Sequence, residues 1–445
     1  MAVCASQMHI LYSTGLYGYA ANLQYQKSKI MKASKLFNVA LVGAVLMQTA
    51  ACKKDEGGTN NTINAEKLAC SYSNTKTLTD RNPNGVDYYA DCLVEVYGNG
   101  NLIIEPGTTI AFESAGGIVV TGTASLKAAG TTASPIKFTT ANNASSWAGI
   151  HIGSNNTSNE LSNCVVEKAG NGNLSELDRV GEPAAVQIAG YAKVFRTTVT
   201  NSLGVGLATS AYGTTLTVPT FDQNTFNGNG SYPVVLEKDL IRNMDLATCT
   251  FTGNFYQNIK LINSALSSAS YLSPYTAHTW RDAGIPYYVS EGIDIYGGAS
   301  LTLEQGVELL FDADGYFRIT DAGSYLKTNG TSANPVRLSS TNSVPGSWDG
   351  LMFETKSNSN ILTHTIISNA GGNVVFYGDI KSAIRVGNYF HDATLSLNNV
   401  KIENTDGCAV AMYDADGNGQ IPSGVTFIES NTIYSGNTGN DLCVE

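Results

Sequence analysis

The stretch that decides the fold is NLIIEPGTTIAF at residues 101–112, which returns as SLTLEQGVELLF at residues 300–311. In the first stretch the apolar residues Leu102 and Ile104 are spaced by two, and the same spacing resumes at Ile110 after a turn. Period two is the signature of a β-strand that buries one face. The two stretches therefore predict the same strand-turn-strand unit at two places in the chain.

The repetition extends well beyond these two stretches. The paired landmarks are Tyr88-Tyr89 with Tyr287-Tyr288, Leu126-Lys127 with Leu326-Lys327, Gly130-Thr131 with Gly330-Thr331, Ser146-Trp147 with Ser347-Trp348, and Ala169-Gly170 with Ala370-Gly371. Agreement at so many positions predicts two tandem copies of a unit of about 190 residues.

Composition favours an all-β protein with many turns. Charged residues make up only 14% of the chain, and glycine occurs 45 times among abundant Asn, Ser and Thr. Equivalent strands recur at about 20–25 residues, which suits one coil of a solenoid. Asparagines recur beside the strands at Asn163, Asn201, Asn224 and Asn254, where stacked amide side chains can form a ladder. The weak helical pattern at residues 257–269 is the best helix candidate.

Four segments resemble right-handed parallel β-helix proteins of Bacteroidota cell envelopes. They are LIIEPGT at 102–108, LKAAGT at 126–131, PIKFT at 135–139 and WAGI at 147–150. The resemblance covers about residues 65–445 and implies an all-β, right-handed parallel β-helix. Because that fold carries adhesins, lyases, hydrolases and proteins of unknown role, it does not imply an activity.

The resemblance also suggests how the copies are arranged. We expect copy 1 at residues 65–265 and copy 2 at residues 266–445, stacked as one continuous helix. Two separate helices joined near residues 267–274 are the alternative. Residues 65–91 are expected to cap the first coil, because an open coil end offers unpaired strand edges.

The N-terminal region predicts export. Residues 31–51 combine a short basic start, an apolar run and small residues, which is the plan of a signal peptide. Cys52 follows directly, so the segment resembles a bacterial lipoprotein signal and implies lipidation of Cys52. The charged linker at 52–64 is similar to the surface-export signal of Bacteroidota lipoproteins. This implies a lipid-anchored protein of the outer membrane, displayed at the cell surface. Residues 1–30 fit no part of this plan, and we expect translation to begin at Met31.

Cysteines are expected to form disulfides, because an exported chain meets an oxidising compartment. Six cysteines follow Cys52, and six allow 15 pairings. Cys70 and Cys92 flank the proposed cap and are predicted to pair. Cys408 and Cys443 fall on neighbouring ladder positions, which favours them less as a pair. The two remaining cysteines, Cys164 and Cys249, lie in strand patterns and are expected to be free.

One segment resembles the start of a calcium-binding loop. Asp414, Asp416 and Asn418 place oxygen atoms at alternate positions, and Gly419 at the sixth position permits a tight turn around a hard cation. The terminal bidentate acid is missing, because Val425 occupies that place. The segment therefore predicts either a calcium site or an Asx-rich turn between strands.

Tyrosine pairs are the candidate ligand-binding residues. Tyr88, Tyr89, Tyr287 and Tyr288 recur in both copies, and one member of each adjacent pair must face outward on an alternating strand. An exposed tyrosine can stack on a sugar ring, and packing of the cap is the alternative interpretation. The charged loop at residues 176–182 either lines a groove or forms a solvated insertion.

Catalytic motifs are scarce. The chain lacks the paired Asp-Asp, Gly-His-Gly and Arg-x-Lys motifs of pectin-degrading β-helix hydrolases. Lyase chemistry needs no linear motif and stays open. The four histidines after His9 are expected at the surface or in turns, and are His151, His278, His364 and His391. The net charge of −11 argues against nucleic acid as a partner.

Three functions remain open. The first is a non-catalytic surface lipoprotein whose β-helix binds glycans or a host or cell surface, as in adhesion. The second is a polysaccharide-active enzyme, either a lyase or a hydrolase. The third is a structural component of the envelope.

Overall fold

A computed structural model describes most of the chain from residue 65 onwards. The described residues are 65–142, 144–172, 174, 182–210, 216–262, 276–373, 380–413 and 424–444. The predictions for residues 1–30, the signal at 31–51, Cys52, the linker at 52–64 and the calcium motif of Asp414, Asp416 and Asn418 lie outside them. Within the described part, no helix is long and apolar enough to cross a membrane.

Short strands make up copy 1. They are β1 (Glu66–Lys67), β2 (Ser71–Tyr72), β3 (Thr75–Leu78), β4 (Tyr88–Ala90), β5 (Leu93–Val96), β6 (Asn101–Ile104), β7 (Thr109–Phe112), β8 (Gly117–Val120), β9 (Ser125–Ala129), β10 (Ile136–Thr140), β11 (Gly149–Ile152), β12 (Glu160–Ser162), β13 (Cys164–Glu167), β14 (Ala184–Ile188), β15 (Lys193–Phe195), β16 (Thr198–Thr200), β17 (Val205–Thr209), β18 (Phe221–Asp222), β19 (Thr225–Asn227), β20 (Val234–Glu237), β21 (Thr250–Thr252) and β22 (Ile259–Ile262). Two short 3-10 helices, Lys238–Asn243 and Leu246–Thr248, lie between β20 and β21. The helix candidate at 257–269 is wrong over 259–262, where alternating burial makes β22 a strand.

Copy 2 continues in the same way. Its strands are β23 (Ala277–Trp280), β24 (Tyr287–Val289), β25 (Ile293–Ile295), β26 (Ser300–Glu304), β27 (Glu308–Phe311), β28 (Tyr316–Thr320), β29 (Tyr325–Asn329), β30 (Val336–Ser340), β31 (Gly350–Glu354), β32 (Ile361–Thr363), β33 (Thr365–Ser368), β34 (Ser382–Val386), β35 (Thr394–Asn398), β36 (Lys401–Glu403), β37 (Cys408–Met412), β38 (Thr426–Ser430), β39 (Ile433–Ser435) and β40 (Leu442–Val444). The predicted all-β class is confirmed.

The strands stack into long parallel sheets. In copy 1, the order β1-β4-β7-β10-β13-β16-β19-β21 forms one sheet, and two further sheets likewise join strands that are three positions apart up to β20. Each coil up to β18 therefore contributes one strand to each of three sheets, whereas the described residues of the last two coils, with β19–β20 and β21–β22, contribute strands to two of them. Successive parallel strands joined by crossovers wind in the right-handed sense. The architecture is the predicted right-handed parallel β-helix.

One sheet of 14 strands runs through both copies, and we call it the shared sheet. Its junction is the parallel pair β22 and β24, with Ile259 opposite Tyr287 and Lys260 opposite Tyr288. The two copies thus form one continuous solenoid. The buried Lys238 adds a further link, because its Nζ donates a hydrogen bond to the carbonyl oxygen of Gly292 at 2.9 Å.

The copies are stacked one strand position out of phase. In copy 1 the shared sheet takes the second strand of each coil, for example β5, while β4 belongs to the 8-stranded sheet. In copy 2 it takes β24, the repeat equivalent of β4, and β25 begins a different sheet. Corresponding strands of the two copies therefore do not lie on the same sheet.

The core repeats with the sequence. Trp147 stacks on Phe112 with ring centroids 4.3 Å apart, and Trp348 stacks on Phe311 at 4.5 Å. Each indole Nε1 donates a hydrogen bond of 2.8 Å to a backbone carbonyl in the next strand layer. The rings of Trp147 and Trp348 thus fill the same place in both copies, and each of these two indole N–H groups has an acceptor.

Corners of the coils use residues that tolerate a positive φ. Asn163 and Asn201 have φ of 48° and 52°, the left-handed region that asparagine enters more readily than most residues. The predicted amide ladder occurs in part: Asn229 Nδ2 donates to Asn254 Oδ1 at 2.8 Å, and Asn254 Nδ2 donates to the carbonyl of Phe226 at 3.1 Å. These bonds satisfy polar groups inside the solenoid.

The N-terminal coil carries several ion pairs. Glu66 pairs with Lys76 at 3.3 Å and with Arg81 at 2.5 Å, and Lys67 pairs with Asp91 at 2.6 Å. Charged side chains on an edge strand discourage pairing with another chain.

A disulfide ties each end of the solenoid to the next coil. Cys70 is bonded to Cys92, with Cα atoms 5.8 Å apart. Cys408 is bonded to Cys443 at 6.2 Å, although the sequence favoured this pair less. In the register of β37 and β40, Cys443 stands opposite Ala411 and not opposite Cys408, which is why the strand pattern did not single out this pair.

Candidate functional site: an aromatic cluster at the junction of the copies

Four aromatic side chains gather on the outer face of the shared sheet, where copy 1 meets copy 2. This aromatic cluster consists of Tyr232, Phe255, Tyr256 and Tyr288. Tyr232 lies two residues before the first residue of β20, Phe255 and Tyr256 lie in the turn between β21 and β22, and Tyr288 lies in β24. The cluster is therefore built on three adjacent strands of one sheet.

The register explains why the cluster forms here. Outward-facing Val235, Lys260 and Tyr288 stand opposite one another on β20, β22 and β24. Val235 is buried in a small apolar group with Tyr232 and Val205, outside the main core. This outer apolar group supports the rings from below.

The rings are arranged in two layers. Tyr232 is buried and stacks on Tyr256 at 4.4 Å and, within 2° of parallel, on Tyr288 at 6.1 Å. Phe255 meets Tyr256 edge to face at 4.8 Å and 90°. Phe255 is 72% exposed and Tyr256 is 43% exposed. The inner ring of Tyr232 therefore supports an outer layer, Tyr256 and Phe255, that is partly exposed to solvent.

Charged groups border the rings. Glu182 accepts hydrogen bonds from the hydroxyl of Ser231 at 2.5 Å and from Lys260 Nζ at 3.0 Å. Lys260 Nζ also lies 5.1 Å from the centroid of the Tyr232 ring, within cation–π range. The Tyr288 hydroxyl donates to Asp312 at 2.9 Å. Two carboxylates and one ammonium group thus border the aromatic cluster.

Burial changes the ionisation of the tyrosines. Desolvation, with a smaller contribution from the Glu182 carboxylate, raises the pKa of Tyr232 to about 12. Desolvation and the hydrogen bond to Asp312 also raise the pKa of Tyr288 above its usual value. Both hydroxyl groups therefore stay protonated further into alkali than an ordinary tyrosine does.

The four tyrosines predicted to bind a ligand lie in different surroundings. Tyr288 belongs to the cluster. Tyr88 and Tyr287 face the core and are buried, and the Tyr287 hydroxyl donates to the carbonyl of Arg281 at 2.7 Å. Tyr89 is half-buried in β4, on a different sheet. The prediction of binding through Tyr88 and Tyr287 is wrong, because the inward faces of β4 and β24 pack in the solenoid.

The expectation for the histidines is wrong for two of them. His151 and His278 are buried in strands β11 and β23, whereas His364 and His391 lie in turns. Nδ1 of His151 lies 3.2 Å from Oε1 of Gln187 on the next strand. Desolvation lowers the pKa of His151, against the opposing effect of that hydrogen bond.

Cysteine and metal predictions can be compared with the described residues. Cys164 and Cys249 are free, as expected. Cys70, Asp91 and Cys92 form the one group there whose ligand atoms lie within 4.8 Å of one another. Both sulfur atoms belong to a disulfide, so no thiolate is available for a metal ion.

Ionisable side chains also gather on the outer face of the sheet that contains β25, β28, β31 and β34. Asp294, Arg318 and Arg385 follow the same column, with Met352 between the two arginines. Arg318 Nε lies 2.7 Å from Glu354 Oε2, and the Tyr316 hydroxyl donates to Asp294 at 3.0 Å.

Sequence reasoning missed most of the aromatic cluster. Phe255-Tyr256 is an adjacent aromatic pair within a turn, where no strand alternation calls for apolar residues. That local signal was available. The proximity of Tyr232 to Tyr288 had no sequence signal, since it depends on the stacking of coils.

The fold defines the class of the protein as a right-handed parallel β-helix with an aromatic cluster on its longest sheet. No protein-family model matches the chain, and no curated protein or solved structure matches it either. The argument for function therefore rests on the cluster and its chemistry.

Proposed function

We propose that the protein binds glycans without cleaving them, through the aromatic cluster on the shared sheet. The observation that supports this is the pair of exposed rings, Phe255 and Tyr256, fixed over the buried Tyr232. An aromatic face stacks on the apolar face of a pyranose, and the flanking carboxylates Glu182 and Asp312 accept hydrogen bonds from its hydroxyl groups.

The charge of the protein favours a neutral ligand. The chain has a formal net charge of −11, and the cluster is bordered by two carboxylates and one lysine. A polyanionic glycan would be repelled by this field. The expected ligand is therefore a polysaccharide without uronate or sulfate groups.

The test combines binding with product analysis. The purified protein is applied to an array of neutral and acidic glycans and then incubated with the glycans that it retains. Retention of neutral glycans without new reducing or unsaturated ends supports the proposal. Release of such ends would identify an enzyme instead, and a lack of retention on every glycan would refute the proposal.

Polysaccharide cleavage is the second candidate function. It is favoured by the column of Asp294, Arg318 and Arg385 with the adjacent Glu354, because such chemistry requires a cluster of ionisable side chains. The pairing of Arg318 with the fully buried carboxylate of Glu354 argues instead for a structural network. Loss of product formation in Arg318→Met, with the fold retained, would support cleavage.

We further propose that Cys52 carries a lipid that anchors the protein to the outer membrane and displays it at the cell surface. The support is the signal-like sequence at residues 31–51. Metabolic labelling with a fatty-acid analogue tests this: label on the wild type and none on Cys52→Ala is expected. Label that persists in Cys52→Ala would exclude this anchor.

A further inference from the structure

The turn between β34 and β35 carries two exposed aromatic side chains, Tyr389 and Phe390, which we call the aromatic tip. They are 69% and 64% exposed, and their rings meet edge to face at 5.0 Å and 82°. Tyr413 approaches Tyr389 at 6.0 Å. Exposed aromatic pairs of this kind commonly mark a binding surface.

The tip is held in place by Asn388. Its backbone N–H donates to the carbonyl of His391 at 3.0 Å, and the N–H of His391 donates back at 3.2 Å. Its Oδ1 accepts the N–H groups of Phe390 at 2.8 Å and of His391 at 2.9 Å. The turn therefore presents its rings in a fixed orientation.

A buried ion pair anchors this turn to the sheet. Asn388 Nδ2 donates to Glu354, whose other oxygen lies 2.7 Å from Arg318 Nε. Glu354 is fully buried at its side chain. Removing a carboxylate from water is costly unless good partners compensate, and such networks favour one geometry. Here that geometry is the position of two exposed rings.

The tip repeats the constellation of the aromatic cluster at another corner of the coil. Phe255 and Tyr256 are also adjacent, exposed and edge to face, at 4.8 Å. Each pair has a lysine–carboxylate ion pair nearby in the fold: Lys260 with Glu182 at 3.0 Å, and Lys356 with Asp392 at 2.5 Å.

Duplication of the chain does not account for this recurrence. The cluster pair connects the first and second strands of a coil, β21 and β22, whereas the tip connects the second and third strands, β34 and β35. The two aromatic pairs therefore arose at positions that the repeat does not relate.

We propose that the aromatic tip is a second sugar-binding site, which takes a pyranose of the same neutral polysaccharide that the aromatic cluster binds. This inference rests on the proposed function. Because the two sites belong to one solenoid, a long chain that engages both is held more tightly than a short oligosaccharide that fills one. Linkage of two sites raises affinity by about 10²–10⁴ when geometry permits.

The experiment compares long and short ligands. Affinities of wild type and Tyr389→Ala/Phe390→Ala are measured for xylan, laminarin, galactomannan and pullulan, and for trisaccharides of the polymers that bind. The double variant is expected to lose at least tenfold in affinity for the polymer. The binding of a trisaccharide at the aromatic cluster is identified as the binding that Tyr256→Ala weakens. The affinity of that binding is expected to differ less than twofold between the double variant and the wild type.

Matched controls separate this loss from a general effect on the surface. Val344→Ala alters an exposed apolar side chain in another loop and is expected to bind polymer as wild type does. Unchanged polymer affinity in the tip variant would overturn the second site while leaving the proposed function intact. If polymer affinity falls in Tyr389→Ala/Phe390→Ala but not in Tyr256→Ala, the aromatic cluster is refuted as a sugar-binding site and the aromatic tip is supported as one.

Two further outcomes would refute the tip as a sugar site. The first is binding of wild type, but not of the tip variant, to vesicles of equal parts phosphatidylcholine and phosphatidylglycerol, without any effect of the variant on polymer binding. That result would assign the tip to a lipid surface. The second is a wild-type protein that binds none of the polymers, which removes the proposed function and this site together.

Discussion

Tyr232 of copy 1 and Tyr288 of copy 2 stack in planes within 2° of parallel, with their centroids 6.1 Å apart. This contact exists because the copies are stacked one strand position out of phase. With the copies in phase, β24 would extend the 8-stranded sheet that contains β4 and β21, and Tyr288 would lie away from Tyr232. The aromatic cluster is thus a property of the junction and is absent from the repeated unit itself.

Removal of one exposed ring should weaken glycan binding. Tyr256→Ala deletes a side chain that is 43% exposed and stacked on Tyr232. An aromatic contact is worth about 1 kcal/mol, so a fivefold to tenfold loss, roughly, is expected by calorimetry. Tyr97→Ala, which alters a tyrosine 46% exposed in another turn, is the control. Equal losses in the two variants would contradict a site at the cluster.

Stability should fall in alkali partly through Tyr232. Its pKa is raised to about 12 in the folded protein, so between the ordinary value of 10.0 and 12 the unfolded state loses its proton first. The free energy of unfolding therefore decreases as pH rises through this window. Urea titrations should show a shallower decrease in Tyr232→Phe than in the wild type. Parallel curves for both proteins would count against the burial of this hydroxyl group.

Loss of the first disulfide should loosen one end of the solenoid only. The Cys70–Cys92 bond links residues 22 apart. Its removal in Cys70→Ser/Cys92→Ser should cost about 3 kcal/mol locally. Coils contact only their neighbours, so amide exchange should rise in β1–β6 and stay unchanged in β14–β17. Faster exchange along the whole chain would show that the coils unfold as one unit.

Gly350 should not tolerate a side chain. Its φ is +118°, and a Cβ atom would lie 2.5 Å from the carbonyl oxygen of Ala383. Gly122 also has a positive φ, +64°, but nothing within 4 Å of a Cβ. Gly122→Ala should therefore cost about 1 kcal/mol and Gly350→Ala at least about 3 kcal/mol in thermal unfolding. If the two variants lost similar amounts of stability, the positive φ alone would explain both losses, and the clash of a Cβ atom at residue 350 would contribute nothing.

Much of the architecture follows from local pattern. Alternation at Leu102 and Ile104 predicts strands, and each strand needs a neighbour of the same kind to cover it. Trp147 and Trp348 fill equivalent places because each stacks on the matching phenylalanine of its own repeat, Phe112 or Phe311. Local alternation also predicted correctly that one tyrosine of each adjacent pair faces the core. It did not predict on which sheet surface the other tyrosine of the pair lies.

The sequence by itself determined the strands, their parallel stacking and the existence of two copies, because period-two burial and turn residues act over a few residues. Only the tertiary structure decided the phase between the copies, and with it the sheet on which Tyr288 meets Tyr232. The phase is seen in the pairing of β22 with β24, where Lys260 lies opposite Tyr288. That pairing joins residues of two different copies, and it leaves no periodic trace in the sequence.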